Sequence, residues 1–473
     1  MRSVAASNPP EGEVPLYADR QKVYPRRVGG PFRVAKWAVL GACLAVYYGL
    51  PWLRWDRGPN LPGQAVLADM GNARLYFFWI EVWPQEIYLL TGLLVLGALA
   101  LFLATSLFGR IWCGYACPQT VWTDLFMLVE RWIEGDRNAR MKLDAAPVSP
   151  GKVARKGLKH GVWLLIAAAT GGAWIFYFND APTAFADLFG GRLGFGTYFF
   201  FGLFTATTYV LAGWAREQVC TYMCPWPRFQ AAMLDEHSLA VTYQAWRGEP
   251  RGKLHRDDPG PRGDCIDCLA CVHVCPTGID IRDGLQLECI GCGLCIDACD
   301  DMMVKVGRPT RLVAFTTQSA QTARQAGTAP APVRWLRART LVYAAMLALV
   351  AVLMAGALWL RVPTHLSVLP DRSPLFVRLS DGSVRNAYTV RVTNRERTDQ
   401  TYVLATDLAG ADIALLGGEG RGISVAADSV ATFRVQVRMP RGTLGNHAYD
   451  LRLLDAGGRD VARRETHFVG PER

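Results

Sequence analysis

Five apolar stretches, each close to the length that crosses a hydrocarbon core, constrain this 473-residue chain more than any other feature. A helix rising 1.5 Å per residue needs about 20 residues for that distance. The stretches occupy residues 35–53, 87–109, 161–178, 194–215 and 340–360, and the last four contain no Asp, Glu, Lys or Arg. With 51% hydrophobic and 19% charged residues, the chain is too apolar to be disordered. It reads as a membrane protein with water-soluble parts, and the lipid bilayer is its first partner.

The distribution of Lys and Arg sets the expected orientation. Seven lie in residues 1–36, nine in 110–159 and fifteen in 215–339, against three in 54–86 and one in 179–193. The N terminus and both basic loops are therefore expected in the cytoplasm, with the first stretch an uncleaved start-transfer helix. Five crossings then put everything after residue 360 outside, and long translocated domains are largely exempt from the charge rule. Much of the net charge of +10 is topological, so nucleic acid is not an expected partner. The cysteines agree: Cys43 sits inside a span, and the other twelve of the 13 fall on the predicted cytoplasmic side, where thiols stay reduced. The expected location is the cytoplasmic (inner) membrane of a bacterium, with a periplasmic C-terminal domain.

Two of the stretches end in related sequences, Cys113-Gly114-Tyr115-Ala116-Cys117-Pro118 and Cys220-Thr221-Tyr222-Met223-Cys224-Pro225. Each follows a two-helix hairpin, so the first four spans read as a duplicated unit that would bring the two cysteine pairs together. Polar, Pro/Gly-rich residues 248–263 lead into a compact cysteine module, and residues 307–338 read as a second linker. Beyond residue 360 the pattern changes to period two, as in Tyr388, Val390, Val392, in Phe433, Val435, Val437 and in Tyr449, Leu451, Leu453. That alternation predicts an antiparallel β-sandwich without a disulfide.

The expected fold is thus multidomain. A cytoplasmic N-terminal segment (1–34) precedes an α-helical membrane domain built on the duplicated hairpin (35–247). A two-cluster ferredoxin module follows (248–306), then a linker (307–339), a fifth membrane helix (340–360) and a periplasmic immunoglobulin-like β-sandwich (361–473).

Chemistry concentrates in the cysteines. Cys265, Cys268, Cys271, Cys275 and then Cys289, Cys292, Cys295, Cys299 are two copies of C-x2-C-x2-C-x3-C, the spacing of bacterial two-cluster ferredoxins. In these, three close thiolates hold one cubane and the fourth ligates the other. The predicted ligand sets are Cys265, Cys268, Cys271 and Cys299 for one 4Fe-4S cluster, and Cys275, Cys289, Cys292 and Cys295 for the second. Eight cysteines exceed what a single tetrahedral zinc site uses. At the membrane edge, Cys113, Cys117, Cys220 and Cys224 offer four soft sulfurs that suit Cu(I) or a further iron-sulfur centre, with the Met223 thioether as an additional donor. Their bland alternative is packing as small hydrophobes at helix ends. His160 and His237 are weaker ligand candidates, His447 and His467 read as surface residues, and Cys43 as packing. Trp52, Trp55, Trp79, Trp83 and Trp214 read as an interfacial belt.

At this point the chain resembles the CcoG family of cytochrome oxidase accessory proteins, also called FixG or RdxA. The resemblance runs through residues 17–27, both C-x3-C-P motifs, the run from Cys265 to Pro276 continuing as Thr277-Gly278-Ile279-Asp280-Ile281-Arg282, the segment 288–300, the fifth span and the outer β domain. It implies a membrane-bound cupric reductase that converts Cu(II) to Cu(I) for assembly of the cbb3-type haem-copper oxidase. The ferredoxin cysteines would relay electrons, and Cys113, Cys117, Cys220 and Cys224 would be the catalytic, copper-handling thiolates. Implied partners are copper ions, copper chaperones or transporters, the oxidase assembly machinery and a cytoplasmic electron donor. A homodimer is compatible with this reading. The alternative is a membrane subunit that passes quinol electrons to a periplasmic reductase.

Overall fold

The computed structural model describes residues 22–58, 61–253, 262–417 and 420–471. The first five residues of the 17–27 stretch, and residues 254–261 of the Pro/Gly-rich linker, lie outside the described residues. The chain divides into two compact units. One comprises the described residues up to Trp55 with Gly63–Val352, and the other Asp56–Pro62 with the residues from Leu353 onward.

In the first unit, the first apolar stretch forms helix Pro31–Gly49, with proline at its opening turn, where a missing N–H costs nothing. The orphan N–H groups of Phe32 and Arg33 are taken by the carboxylate of Asp297, at 3.3 and 2.7 Å. Asp297 belongs to helix Leu294–Lys305, which also carries Cys295 and Cys299, so the ferredoxin region caps the first apolar helix. The second, fourth and fifth stretches form helices Ile87–Phe108, Phe195–Thr208 and Ala338–Trp359, the fourth running on as the π-helical turns Tyr209–Ala215.

Among the described residues, four helical segments are long and apolar enough to cross a membrane: Pro31–Trp52, Pro84–Phe108, Phe195–Ala215 and Ala338–Trp359. The remaining stretch is the C-terminal part of the longer helix Pro150–Phe176, whose first turns carry Lys152, Arg155, Lys156 and Lys159. That helix packs on Phe195–Thr208 through Gly171. A Cβ there would stand 2.7 Å from the Phe201 carbonyl oxygen, so only glycine permits this approach.

Two sequence expectations are amended. Trp83 is not an interfacial residue: it is 3% exposed, with the Arg74 guanidinium 3.6 Å above its ring, because the preceding loop folds into the antiparallel sheet Val66–Asp69, Arg74–Phe77, Ile80–Val82. Residues 307–338 are not simply a linker. Val313–Thr316 pairs antiparallel with Ala240–Tyr243, and this ribbon supplies Val241, Tyr243 and Val313 to the core around Cys265, Cys271 and Cys299.

The second unit is a sandwich of two antiparallel sheets. One orders Asp412–Leu415, Ser429–Met439, Val384–Asn394 and Thr364–Pro370, with Val377–Arg378 also on Val384–Asn394. The other orders Gly422–Val425, Gln400–Thr406, Asn446–Leu454 and Asp460–Val469. The period-two residues face inward: Tyr388, Val390, Val392, Val435, Val437, Leu451 and Leu453 are buried in one core, and Phe433 packs against it.

Candidate functional site

The two C-x3-C-P motifs end alike, although the first sits on the α-helical turn Ile111–Tyr115 and the second on the π-helical turn Val219–Met223. In each, the N–H of the second cysteine closes a six-residue turn: Cys117 donates to the Trp112 carbonyl at 2.9 Å, and Cys224 to the Val219 carbonyl at 2.8 Å. Both cysteines are extended, because the proline that follows disfavours helix at the preceding residue. The internal repeat in the sequence is thus also a repeat of how each motif closes.

The motifs are tied to each other reciprocally. The Cys113 Sγ donates to Oε1 of Gln230, 3.2 Å away, in the helix that follows the second motif. Gln119, in the helix that follows the first motif, donates through Nε2 to the carbonyls of Leu211 and Arg216 ahead of the second. Gln230 is fully buried. This brings Cys117, Cys220 and Cys224 within electrostatic reach of Cys113, all four being partly buried. Burial, then the neighbouring sulfurs, pushes the Cys113 and Cys220 thiols up to about 12. A metal ion taken up here therefore displaces protons. Met223 is 63% exposed.

The ferredoxin cysteines lie against this site. The Tyr115 hydroxyl donates to the Cys292 carbonyl at 3.1 Å, and Cys113 packs with Ile290 and Cys292 in one apolar cluster. A Cβ on Gly114 would stand 2.9 Å from both the Cys292 Cα and the Ile290 carbonyl oxygen. Arg110 closes the other side, donating to the carbonyls of Cys289, at 3.0 Å, and Pro227, at 3.1 Å.

Within the ferredoxin region the eight cysteines fall into two neighbourhoods. Cys299 stands within electrostatic reach of Cys268 and Cys265, and Cys271 within reach of Cys299 and Cys268. Cys275 shares a small cavity with Cys289, Cys292 and Cys295, whose wall also includes Cys271. Each copy of the motif thus sends its fourth cysteine to the other copy's group. Burial pushes the Cys271, Cys289 and Cys299 thiols up to about 12. Sulfur-only donor sets, in apolar surroundings, fit 4Fe-4S clusters in chemistry and in number. The loop before Cys271 adopts positive φ at Asp267 and Leu269, and Arg282 braces it by bonding Asp267 and Asp280. Among the described residues, no three His, Cys, Asp or Glu side chains are gathered at the spacing of a single bound ion.

His160 Nδ1 bonds the Tyr209 hydroxyl at 2.9 Å, and His237 Nδ1 bonds the Ser319 hydroxyl at 3.0 Å. His447 and His467 are exposed. Sequence reasoning passed over Arg110, Tyr115, Gln119 and Gln230. Their proximity to the prolines and cysteines was the available signal, but their partners lie about a hundred residues or more away.

Beside the site lies a buried ionic network. Glu130, 1% exposed, meets Arg140, Arg216 and Lys159, and Glu134 meets Lys159 and Lys156. Burial raises the Glu130 carboxyl, but Arg216 foremost, with Arg140 and Lys159, overrides it and holds the group at about 2.

Residues 215–318 match a family model described as a 4Fe-4S dicluster domain, and residues 90–135 one described as a 4Fe-4S binding domain. Residues 354–471 match the Ig-like fold at the C-terminal of FixG. Protein RdxA of Cereibacter sphaeroides is 50% identical over 469 residues, covering 96% of this chain and 99% of its own. The nitrogen fixation protein FixG of Rhizobium meliloti is 49% identical over 494 residues, covering 96% and 94%. The ferredoxin-type protein NapH of Haemophilus influenzae is 25% identical over 235 residues, covering 45% of this chain and 68% of its own.

Proposed function

Because this chain belongs to the FixG family of iron-sulfur proteins, with RdxA and FixG among its relatives, we propose that it is a membrane-bound cupric reductase. In this reading it converts Cu(II) to Cu(I) for assembly of a cbb3-type oxidase. The single observation that supports it is the packing of Cys113-Gly114-Tyr115 directly on the loop that carries Cys292. When bound, the 4Fe-4S clusters supply one-electron relay, and reduction of Cu(II) consumes one electron per ion.

The four membrane-edge cysteines provide soft sulfur donors, which favour Cu(I) over Cu(II) and so make the reduction more favourable. The Gln119 and Gln230 bonds hold the two motifs together, and the Arg110 bonds hold the ferredoxin loop against them. The Lys/Arg asymmetry supports a bacterial inner-membrane protein with this site on the cytoplasmic face and the β-sandwich in the periplasm. Its partners in this reading are a cytoplasmic electron donor, copper chaperones or transporters, and the oxidase assembly machinery.

Reduced protein, purified anaerobically, is expected to convert Cu(II) to Cu(I), read with a Cu(I)-specific chelator, while its 4Fe-4S signals bleach in step. Replacing Cys113, Cys117, Cys220 and Cys224 together by Ser should abolish this and leave both ferredoxin clusters intact. If that variant reduces bound Cu(II) as fast as the parent, the cysteines are structural. Loss of a third iron-sulfur signal would mean that they hold a cluster. The similarity to the ferredoxin-type NapH favours a second reading, a membrane electron-transfer subunit fed by quinol, in which quinol reduces the clusters and Cu(II) does not reoxidise them.

A further inference from the structure

Lys36 lies one turn into the first apolar helix and is 2% exposed. A lysine in such a segment is costly unless its charge is used. Its side chain helps line a small cavity whose wall also includes Cys220, from the second C-x3-C-P motif, and Pro276, Thr277 and Ile290, from the ferredoxin loops. It therefore stands where the two cysteine systems meet.

The cavity wall also carries Arg216 and Glu217, of opposite charge, whereas on the other side of Lys36 cations outnumber carboxylates. The carboxylate that Lys36 faces is Asp124, with Nζ to Oδ2 at 3.9 Å, beyond hydrogen-bond length. Asp124 is itself fully buried, and it also meets Arg33 at 3.0 Å and Arg131 at 3.9 Å. Three cations thus share one carboxylate in a buried place, an arrangement that favours further negative charge nearby. The cysteines supply it. Asp124 acts on Cys292 in the opposite sense to Lys36.

We propose that Lys36 is a positioning residue for charge. Its ammonium, buried where the first apolar helix meets the loops of Pro276 and Ile290, raises the reduction potential of the centre held by Cys275, Cys289, Cys292 and Cys295. A cluster gains one negative charge on reduction, and net charge is among the factors that set cluster potentials. This inference rests on the reading that these four cysteines hold a cluster. It does not depend on copper being the final acceptor.

The test is an anaerobic redox titration of the full-length protein, followed by EPR, comparing the parent with Lys36→Met, Lys36→Arg and Asp124→Asn. In Lys36→Met the reduction equilibrium of one cluster should fall about tenfold, which is about 59 mV for a one-electron couple. The cluster held by Cys265, Cys268, Cys271 and Cys299 should not move. Lys36→Arg should restore the parental potential, and Asp124→Asn should shift the same cluster in the opposite direction. Equal shifts in both clusters, no shift in either, or an arginine variant that behaves like the methionine one would overturn the proposal. If Lys36→Met loses iron, Asp124→Asn decides: an upward shift of one cluster supports the proposal, and no shift or a downward one overturns it. A parent that shows one cluster only would overturn the underlying cluster reading as well.

Discussion

The hydroxyl of Tyr115 and the carbonyl of Cys292 are joined by a 3.1 Å hydrogen bond, although 177 residues separate them in the chain. The bond fixes a membrane-edge motif to a ferredoxin loop, and Gly114 beside it leaves no room for a larger residue. Gly114→Ala would place its Cβ 2.9 Å from two backbone atoms of that loop. Both are main-chain atoms, so relief requires moving the loop, at a cost of about 1–3 kcal/mol. Reoxidation of reduced protein by Cu(II), followed by stopped-flow absorbance, should slow by at least about tenfold while iron content is retained. An unchanged rate would show that the close approach has no part in electron delivery.

Cys275 shares its cavity with Cys289, Cys292 and Cys295. Cys275→Ser should therefore damage the cluster associated with those three residues and lower bound iron by about half. Mössbauer or EPR spectra showing loss confined to the cluster of Cys265, Cys268 and Cys271 would reverse the assignment.

Glu130 has a depressed pKa, about 2, in the folded protein against an ordinary 4.5. Its contribution to stability is fully present above pH 4.5 and is lost as pH falls through about 2, and it amounts to about 3 kcal/mol. Glu130→Gln should destabilise the protein near neutrality by about 3–5 kcal/mol, since it leaves buried cations without their partner. It should also flatten the fall in thermal stability as pH drops from 4.5 toward 2, read by tryptophan fluorescence. A variant that keeps the parental acid slope would place that slope in other carboxylates.

A reporter fused after residue 365 should be active in the periplasm, and one fused near residue 255 in the cytoplasm. Opposite results would overturn the five-span arrangement drawn from the Lys/Arg distribution.

What could be read from the sequence was whatever repeats at short range. The alternation through Tyr388, Val390 and Val392 depends on a strand's two-residue period, and these residues occupy the sandwich core. The cysteine spacing is likewise local. Lys36 stands out as the charge in the first apolar stretch, but nothing local names its partner: Asp124 looks ordinary in its own helix, and only packing brings the two together. Val313–Thr316 reads as linker in the sequence because four residues carry too little periodicity to signal a strand. Its partner, Ala240–Tyr243, lies some seventy residues earlier. Trp83 was misplaced for a similar reason, since aromatic position alone does not reveal the Arg74 that covers it.

The reciprocal bonds of Gln119 and Gln230 also bear on how the protein is made. The anchor for each motif lies in the other half of the repeat. While the ribosome has delivered only the first hairpin, Cys113 lacks Gln230 and the two motifs are not yet joined. Gly114 likewise has no loop to rest on until Ile290 and Cys292 have been synthesised. The packing around Cys113 and Cys117 is thus completed only by residues translated much later, although the motif itself is translated first.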